Sequence, residues 1–263
     1  MPRDANVGEK FARLVEIMEQ LRGENGCPWD RKQTHESLRQ YLLEETYEVL
    51  ESIDEGEAAA LKEELGDLLL QIVFHAQIAS ESQRFNMSDV IEAISAKLIR
   101  RHPNVFGQAE IHTAEEQAIN WEKLKREEGK SSVLDGVPKA LSGLLRALRI
   151  QQKAAAVGFD WPQAEPVWQK IAEEIEELRE VADQESHERL EEEFGDLLFS
   201  LVNVSRFLGV NPEDALRKTT EKFIRRFQEI EKEYRANQRE LTEASLEELD
   251  EAWERAKRGE RKG

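Results

Sequence analysis

Two short stretches put carboxylates where a helix would be expected to hold its packing residues. In "LLEETYE" (42–48) and "EELGD" (63–67), Glu44, Glu45, Glu48, Glu64 and Asp67 interrupt leucines. In "IAEEIEE" (171–177) and "EEFGD" (192–196), Glu173, Glu174, Glu177, Glu193 and Asp196 repeat the same spacing. Residues three or four apart lie on one helix face. Glu44, Glu45 and Glu48 therefore cover an arc of roughly 100°. Glu193 and Asp196 border an apolar stripe of Leu190, Phe194, Leu197 and Leu201. Unpaired carboxylates at the edge of a core are costly. Four or five converging from two helices need a cation. With no histidine or cysteine among them the oxygen donors are hard, which favours Mg²⁺, with Mn²⁺ as a substitute.

The chain has 55 acidic residues in 263, so a lone EExxE is more often a solvated helix face. Its doubling with identical spacing, beside ExxD, argues for a site. Gly66 and Gly195 fall at the same place in both copies. Glycine inside a helix costs about 1 kcal/mol against alanine, so the pair predicts a close approach of backbone or ligand. A di-iron or di-manganese carboxylate bundle would use Glu-x-x-His. None of the five histidines (35, 75, 102, 112, 187) has a glutamate three residues before it. "GKSS" (129–132) lacks the preceding glycine of a phosphate-binding P-loop and follows no strand.

Two basic clusters stand out in so acidic a chain. Lys97, Arg100 and Arg101 repeat as Lys222, Arg225 and Arg226, each at i, i+3, i+4. Arginine forks and a lysine point charge suit a nucleotide's terminal phosphates, although pairing with nearby glutamates is the competing reading. Trp121 and Trp253, in "WEKLK" and "WERAK", could stack on a base. Tryptophan at helical spacing is more often core.

The elements that must position these groups are helices. Apolar residues recur at three- and four-residue steps, as in Phe11, Leu14, Met18 and Leu21, and no β-branched alternation occurs. The seven prolines fall between the periodic stretches or near their starts. The fold class is all-α, and the chain is an internal duplication. Its repeats are expected at 1–130 and 131–263, divided in the Gly-, Ser- and Pro-containing "EGKSSVLDGVP" (128–138). "PWD" (28–30) faces "GFD" (158–160). In each half, two acidic helices joined by a short segment, "SIDEGEAA" or "VADQESHE", should pack antiparallel. Pro103 after "RR" should end the first basic helix early, whereas "RRFQEIEKEY" continues.

The net charge of −18 argues against nucleic-acid polymers and anionic membranes as partners, while a small anionic ligand bridged by a cation remains open. A lone Cys27 excludes an intrachain disulfide and fits a reducing compartment. The first residues form no apolar signal core, and no stretch reaches the length of a membrane span, so a cytoplasmic location is expected.

These motifs together resemble those of the MazG-type nucleoside triphosphate pyrophosphohydrolases. "EETYE" with "EELGD", "EEIEE" with "EEFGD", "GCPWD", "RRHPNVFG" and "VGFDW" are similar to the two-repeat bacterial members over nearly the whole chain. The resemblance implies tandem all-α pyrophosphatase repeats whose helix pairs form a four-helix bundle on homodimerisation. It implies Mg²⁺-dependent cleavage of an NTP or dNTP to monophosphate and pyrophosphate. By resemblance, Glu174, Glu177, Glu193 and Asp196 hold magnesium. Lys170, Glu173, Arg189, Lys222, Arg225, Arg226 and Trp253 contact the nucleotide. The first-repeat equivalents are Glu44, Glu45, Glu48, Glu64, Asp67, Lys97, Arg101 and Trp121. The C-terminal repeat is expected to be the main catalytic unit, although both copies keep all five acids. The expected chemistry is metal-assisted hydrolysis at the α-phosphorus. Glu173 or Glu174 would orient the water, and Lys222 and Arg226 would stabilise the leaving pyrophosphate. Two other readings stand beside it. One is an enzyme restricted to dUTP or an aberrant nucleotide. The other is a non-catalytic helical scaffold that binds nucleotide or a partner protein.

Overall fold

The computed structural model describes residues 6–113, 116–117, 120, 132–182 and 186–260. Among them every regular element is a helix, as the periodicity predicts. The chain divides into two compact units, Met1–Ile111 and His112–Gly263. Trp121 and the "WEKLK" segment lie outside the described residues.

In the first unit, α1 (Val7–Arg22) leads into the short α2 (Pro28–Lys32), which starts on a proline at its first turn. The acidic pair follows as α3 (Arg39–Glu55) and α4 (Ala58–Glu81). "SIDEGEAA" is mostly helix: only Gly56 and Glu57 separate α3 from α4. Gly56 sits in the left-handed region at φ 74° and donates its N–H to Ser52 O, the usual way to stop a helix. So short a joint folds α4 back along α3. Glu45 then faces Asp67 while Glu48 faces Glu64, the order that antiparallel helices require. The core beneath is Met18, Leu38, Val73, Phe74 and Ile78, with Tyr41 and Leu70 packed against it. α5 (Met87–Arg101) opens on a capping box between Asn86 and Asp89 and stops before Pro103, where the short α6 (Pro103–Phe106) begins.

The second unit repeats this plan. α7 (Gly143–Ala155) is followed by Gly158, whose φ of 87° lets the chain turn back through the "GFD" segment. α8 (Glu165–Ala182) and α9 (His187–Phe207) are its acidic pair, packed over Val167, Ile171 and Val204. Residues 183–185 of the "VADQESHE" joint lie outside the described residues. α10 (Pro212–Ala236) is capped by Asn211 and runs 25 residues against 15 for α5, the difference Pro103 predicts. α11 (Leu246–Glu260) packs on α10 through Ile230, Tyr234 and Ala252.

The expectation drawn from Gly66 and Gly195 is not met within the chain. A Cβ built at either position would meet nothing within 4 Å. Both face open space on their helices, so no contact among the described residues explains them.

Candidate functional site

The acidic helices bring the glutamates together in both units. Ligand-capable oxygens of Glu174, Glu177 and Glu193 all lie within 4.8 Å of one another, and those of Glu45, Glu48 and Glu64 do the same. In the second unit two of the three come from α8, one turn apart, and the third from the facing turn of α9. Asp196 stands one turn further along α9 and shares a cavity with Glu174. Glu44 and Glu173 lie outward of these triads and are exposed.

The electrostatics show a conflict that the protein alone does not resolve. Glu174 is only 3% exposed. One of its oxygens meets Lys170 Nζ at 2.9 Å, and the other, Oε2, is buried without a partner. Such an orphaned charged oxygen is expensive. Burial, opposed by Lys170 and reinforced by Glu174, Glu173 and Glu193, raises the Glu177 carboxyl above the ordinary value. The first-unit triad behaves alike: burial and then the neighbouring acids raise Glu45 and Glu64. A divalent cation with oxygen ligands would satisfy the orphan and cancel the repulsion, so the donor set fits a hard metal.

The two units differ around this shared triad. Three residues before the first glutamate of each motif stands Tyr41 in one and Lys170 in the other. Lys170 bridges Glu173 at 2.8 Å and Glu174 at 2.9 Å, and these bonds raise its pKa. Lys170, expected to contact nucleotide, thus also holds the carboxylates of its own helix. Seven residues after the motif aspartate stands Phe74 in one unit and Asn203 in the other. Phe74 is core. Asn203 lines a cavity of about 820 Å³, shared with Gln151, Phe159, Trp161, Lys170 and Glu174.

Three segments build that cavity. Gln151 of α7 donates from Nε2 to Phe199 O at 2.8 Å, tying α7 to α9. Arg206 of α9 donates from Nη1 to Asp160 Oδ2 at 2.8 Å and from Nη2 to Asn203 Oδ1 at 2.9 Å. Its guanidinium lies 4.5 Å from the Phe207 ring centre. This fork pins the "GFD" turn, and the turn sets Phe159 and Trp161 at the cavity with their rings partly in solvent; Phe159 is 82% exposed. Gln151, Phe159, Trp161, Asn203 and Arg206 were not singled out by motif spacing. "VGFDW" marks the turn, but no periodicity reports which side chains line a void between three segments.

The basic cluster lies apart from the carboxylates in its contacts. Lys222, Arg225 and Arg226 project from α10 toward the end of α11. Arg226 bonds to Glu260 and lies 5.5 Å from the Trp253 ring centre. Trp253 also packs on Phe223, with ring centres 5.0 Å apart, and on the Ile230 cluster. Arg189 is exposed in the first turn of α9, one turn before Glu193. In the first unit, Lys97 is exposed and Arg101 half-buried near the end of α5.

A family profile, the MazG nucleotide pyrophosphohydrolase domain, matches residues 33–106 and 163–230, one stretch in each repeat. A nucleoside triphosphate pyrophosphohydrolase/pyrophosphatase MazG of Thermotoga maritima is 51% identical over 256 residues, covering 96% of this chain and 98% of that protein. A nucleoside triphosphate pyrophosphohydrolase of Escherichia coli K12 is 47% identical, covering 94% of this chain and 97% of its own length. An uncharacterised Bacillus subtilis protein, YabN, is 47% identical, and this chain spans 53% of it. With both carboxylate hairpins inside the matched stretches, the chain belongs to the MazG nucleotide pyrophosphohydrolase family.

Proposed function

We propose that the second unit hydrolyses nucleoside triphosphates to monophosphate and pyrophosphate with Mg²⁺ held by Glu174, Glu177, Glu193 and Asp196. The observation that carries this reading is the orphaned, buried Glu174 Oε2 in a carboxylate triad bordering a nucleotide-sized cavity. When bound, the metal would neutralise phosphate charge and acidify a coordinated water. Glu173, exposed and paired with Lys170, is placed to orient that water or accept its proton. Phe159 and Trp161 offer ring faces to a base, and Asn203 offers polar contact. Lys222, Arg225 and Arg226 supply donors for the leaving pyrophosphate, with Arg189 as a further cation beside the triad.

Because α10 contacts α11 rather than the triad, we assign the completed site to a homodimer. An apolar stripe favours it: Phe194, Leu198 and Leu201 are exposed on α9, and Leu65 and Ile72 repeat it on α4. Such stripes suit the four-helix bundle of paired hairpins. The first unit keeps its triad, but Phe74 and Tyr41, at the positions equivalent to Asn203 and Lys170, belong to its apolar core. We therefore assign nucleotide binding to repeat 131–263 and a supporting role to repeat 1–130. The two profile matches, one on each side of residue 130, favour this division. A nucleotide substrate and the lone Cys27 suit a cytoplasmic address.

Product analysis tests the reaction. The protein is incubated with each of several NTPs and dNTPs, with Mg²⁺ or with chelator. Monophosphate plus pyrophosphate, formed only with metal, is expected. Diphosphate plus orthophosphate would refute the bond assignment. Binding without turnover would favour a non-catalytic scaffold.

A further inference from the structure

We infer that Glu260 is a built-in competitor for the phosphate-binding guanidinium of Arg226. The inference rests on the reading that Arg226 clamps the nucleotide's phosphates. Within the chain that guanidinium is already engaged. Its Nε and Nη2 both donate to Glu260 Oε2, at 2.9 and 2.7 Å. The indole of Trp253, two turns earlier on α11 than Glu260, lies 5.5 Å from it. Arg226 is thus held on two sides, and its side chain is 15% exposed. The hydrogen bond from Arg226 lowers the Glu260 pKa, and the charges of Arg226, Arg225 and Lys222 add to that. The carboxylate therefore sits in the field of the whole basic cluster.

A carboxylate and a phosphate present the same acceptor geometry to an arginine fork. A nucleotide's phosphates carry more charge and more oxygens, so they displace Glu260 rather than add to it. The contact is easy to give up. Glu260 is the last described residue of α11, and its side chain is 34% exposed, so its ion pair is a weak one that solvent and other anions compete for. Glu260 therefore does two things. It keeps Arg226 over Trp253 between turnovers, and it takes a share of the affinity that phosphate would otherwise gain. The first keeps kcat unaffected by the exchange, and the second raises KM.

The test compares wild type, Glu260→Gln, Glu260→Ala, Arg226→Met and the Glu260→Gln/Arg226→Met double variant. KM and kcat are measured for Mg²⁺-dependent NTP hydrolysis. Binding of inorganic pyrophosphate is measured by calorimetry in chelator. Loss of a part-exposed ion pair predicts KM lower by roughly two- to fivefold in both Glu260 variants, with kcat changed by less than about twofold. Pyrophosphate affinity rises by the same factor, and the Glu260 effect vanishes in the Arg226→Met background. An unchanged KM in both Glu260 variants would reduce the contact to an ordinary ion pair and overturn the inference. A raised KM would overturn it too, because Glu260 would then only position Arg226. Arg226→Met with wild-type KM and pyrophosphate affinity would instead refute the underlying reading of Arg226 as a phosphate clamp.

Discussion

Replacing Glu174 by glutamine tests the metal site with the least disturbance of shape. In the wild type, Glu174 Oε1 pairs with Lys170 and Oε2 is buried and unsatisfied. The substitution removes the orphan charge, worth about 1–3 kcal/mol of cost, and weakens a charge-assisted bond of about 1.5–3 kcal/mol. These nearly cancel, so the melting temperature in chelator should stay within about 4 °C of wild type. The response to metal should not survive. Wild type at a hundredfold excess of Mg²⁺ over its Kd gains about 2.7 kcal/mol. For a domain of this size that is roughly 5–10 °C in Tm. Even changes outside the ligand shell cost tenfold to a hundredfold in metal affinity, so losing a carboxylate ligand is set here at about 100-fold. The variant then sits near its Kd at the same Mg²⁺, gains about 0.4 kcal/mol, and shifts by about 1 °C. Turnover should fall by at least about 100-fold in parallel. Thermal melts with and without Mg²⁺, beside product assays, read both quantities. A variant that keeps the wild-type Mg²⁺ shift and turnover would refute the assignment of Glu174 as ligand.

Three other outcomes are expected. Asn203→Phe, which copies the first repeat into the cavity, should raise KM by about tenfold or more while leaving the Mg²⁺ shift intact; the reciprocal Phe74→Asn should cost about 3–5 kcal/mol in thermal unfolding of the first unit. Glu45, Glu64 and Glu177 have folded pKa values above the ordinary 4.5, so the metal-free fold gains from them below that pH and loses the gain as pH rises through the raised values. Mg²⁺ opposes that loss, and its Tm shift should be larger near pH 7.5 than near pH 5; an equal shift at both would count against carboxylate ligation. His35 and His75 share one hydrogen bond between their Nδ1 atoms at 2.8 Å, and burial and then His35 lower the His75 pKa from 6.5. The first unit should lose stability as pH falls below 6.5 with Mg²⁺ saturating, and His75→Asn should flatten that slope in melts across pH 5.5–7.5.

Much of this arrangement was legible in the residues themselves. The i, i+3 spacing of Glu174 with Glu177 and of Glu193 with Asp196 is local, so one helix turn and one short joint are enough to bring the acids together. Pro103 told where α5 stops for an equally local reason. What depended on three-dimensional closure was not legible. Gln151, Asn203 and Arg206 meet because α7, α9 and the turn at Gly158 pack together. The spacing of Lys222, Arg225 and Arg226 puts them on one helix face, but only the packing of α11 reveals that Glu260 sits against Arg226 in the field of the other two. The low helix propensity of Gly66 and Gly195 predicts a close approach of backbone or ligand; among the described residues no backbone of this chain makes it, and both positions look onto open space. Lys170 resembled a ligand contact, and its spacing to Glu173 and Glu174 fits an i, i+3 and i, i+4 ion pair equally well.

The exchange of Phe74 and Tyr41 for Asn203 and Lys170 also sets what each copy can absorb as the chain diversifies. Positions 41 and 74 answer to volume: a side chain of similar size and oiliness serves. Positions 170 and 203 answer to charge and hydrogen-bonding capacity, where a size-matched apolar replacement is the harmful one. Random mutagenesis under selection for growth would meet two separate filters along one polypeptide. The acidic motif in each copy would look equally preserved, while the substitutions tolerated around it would be of opposite chemical kind.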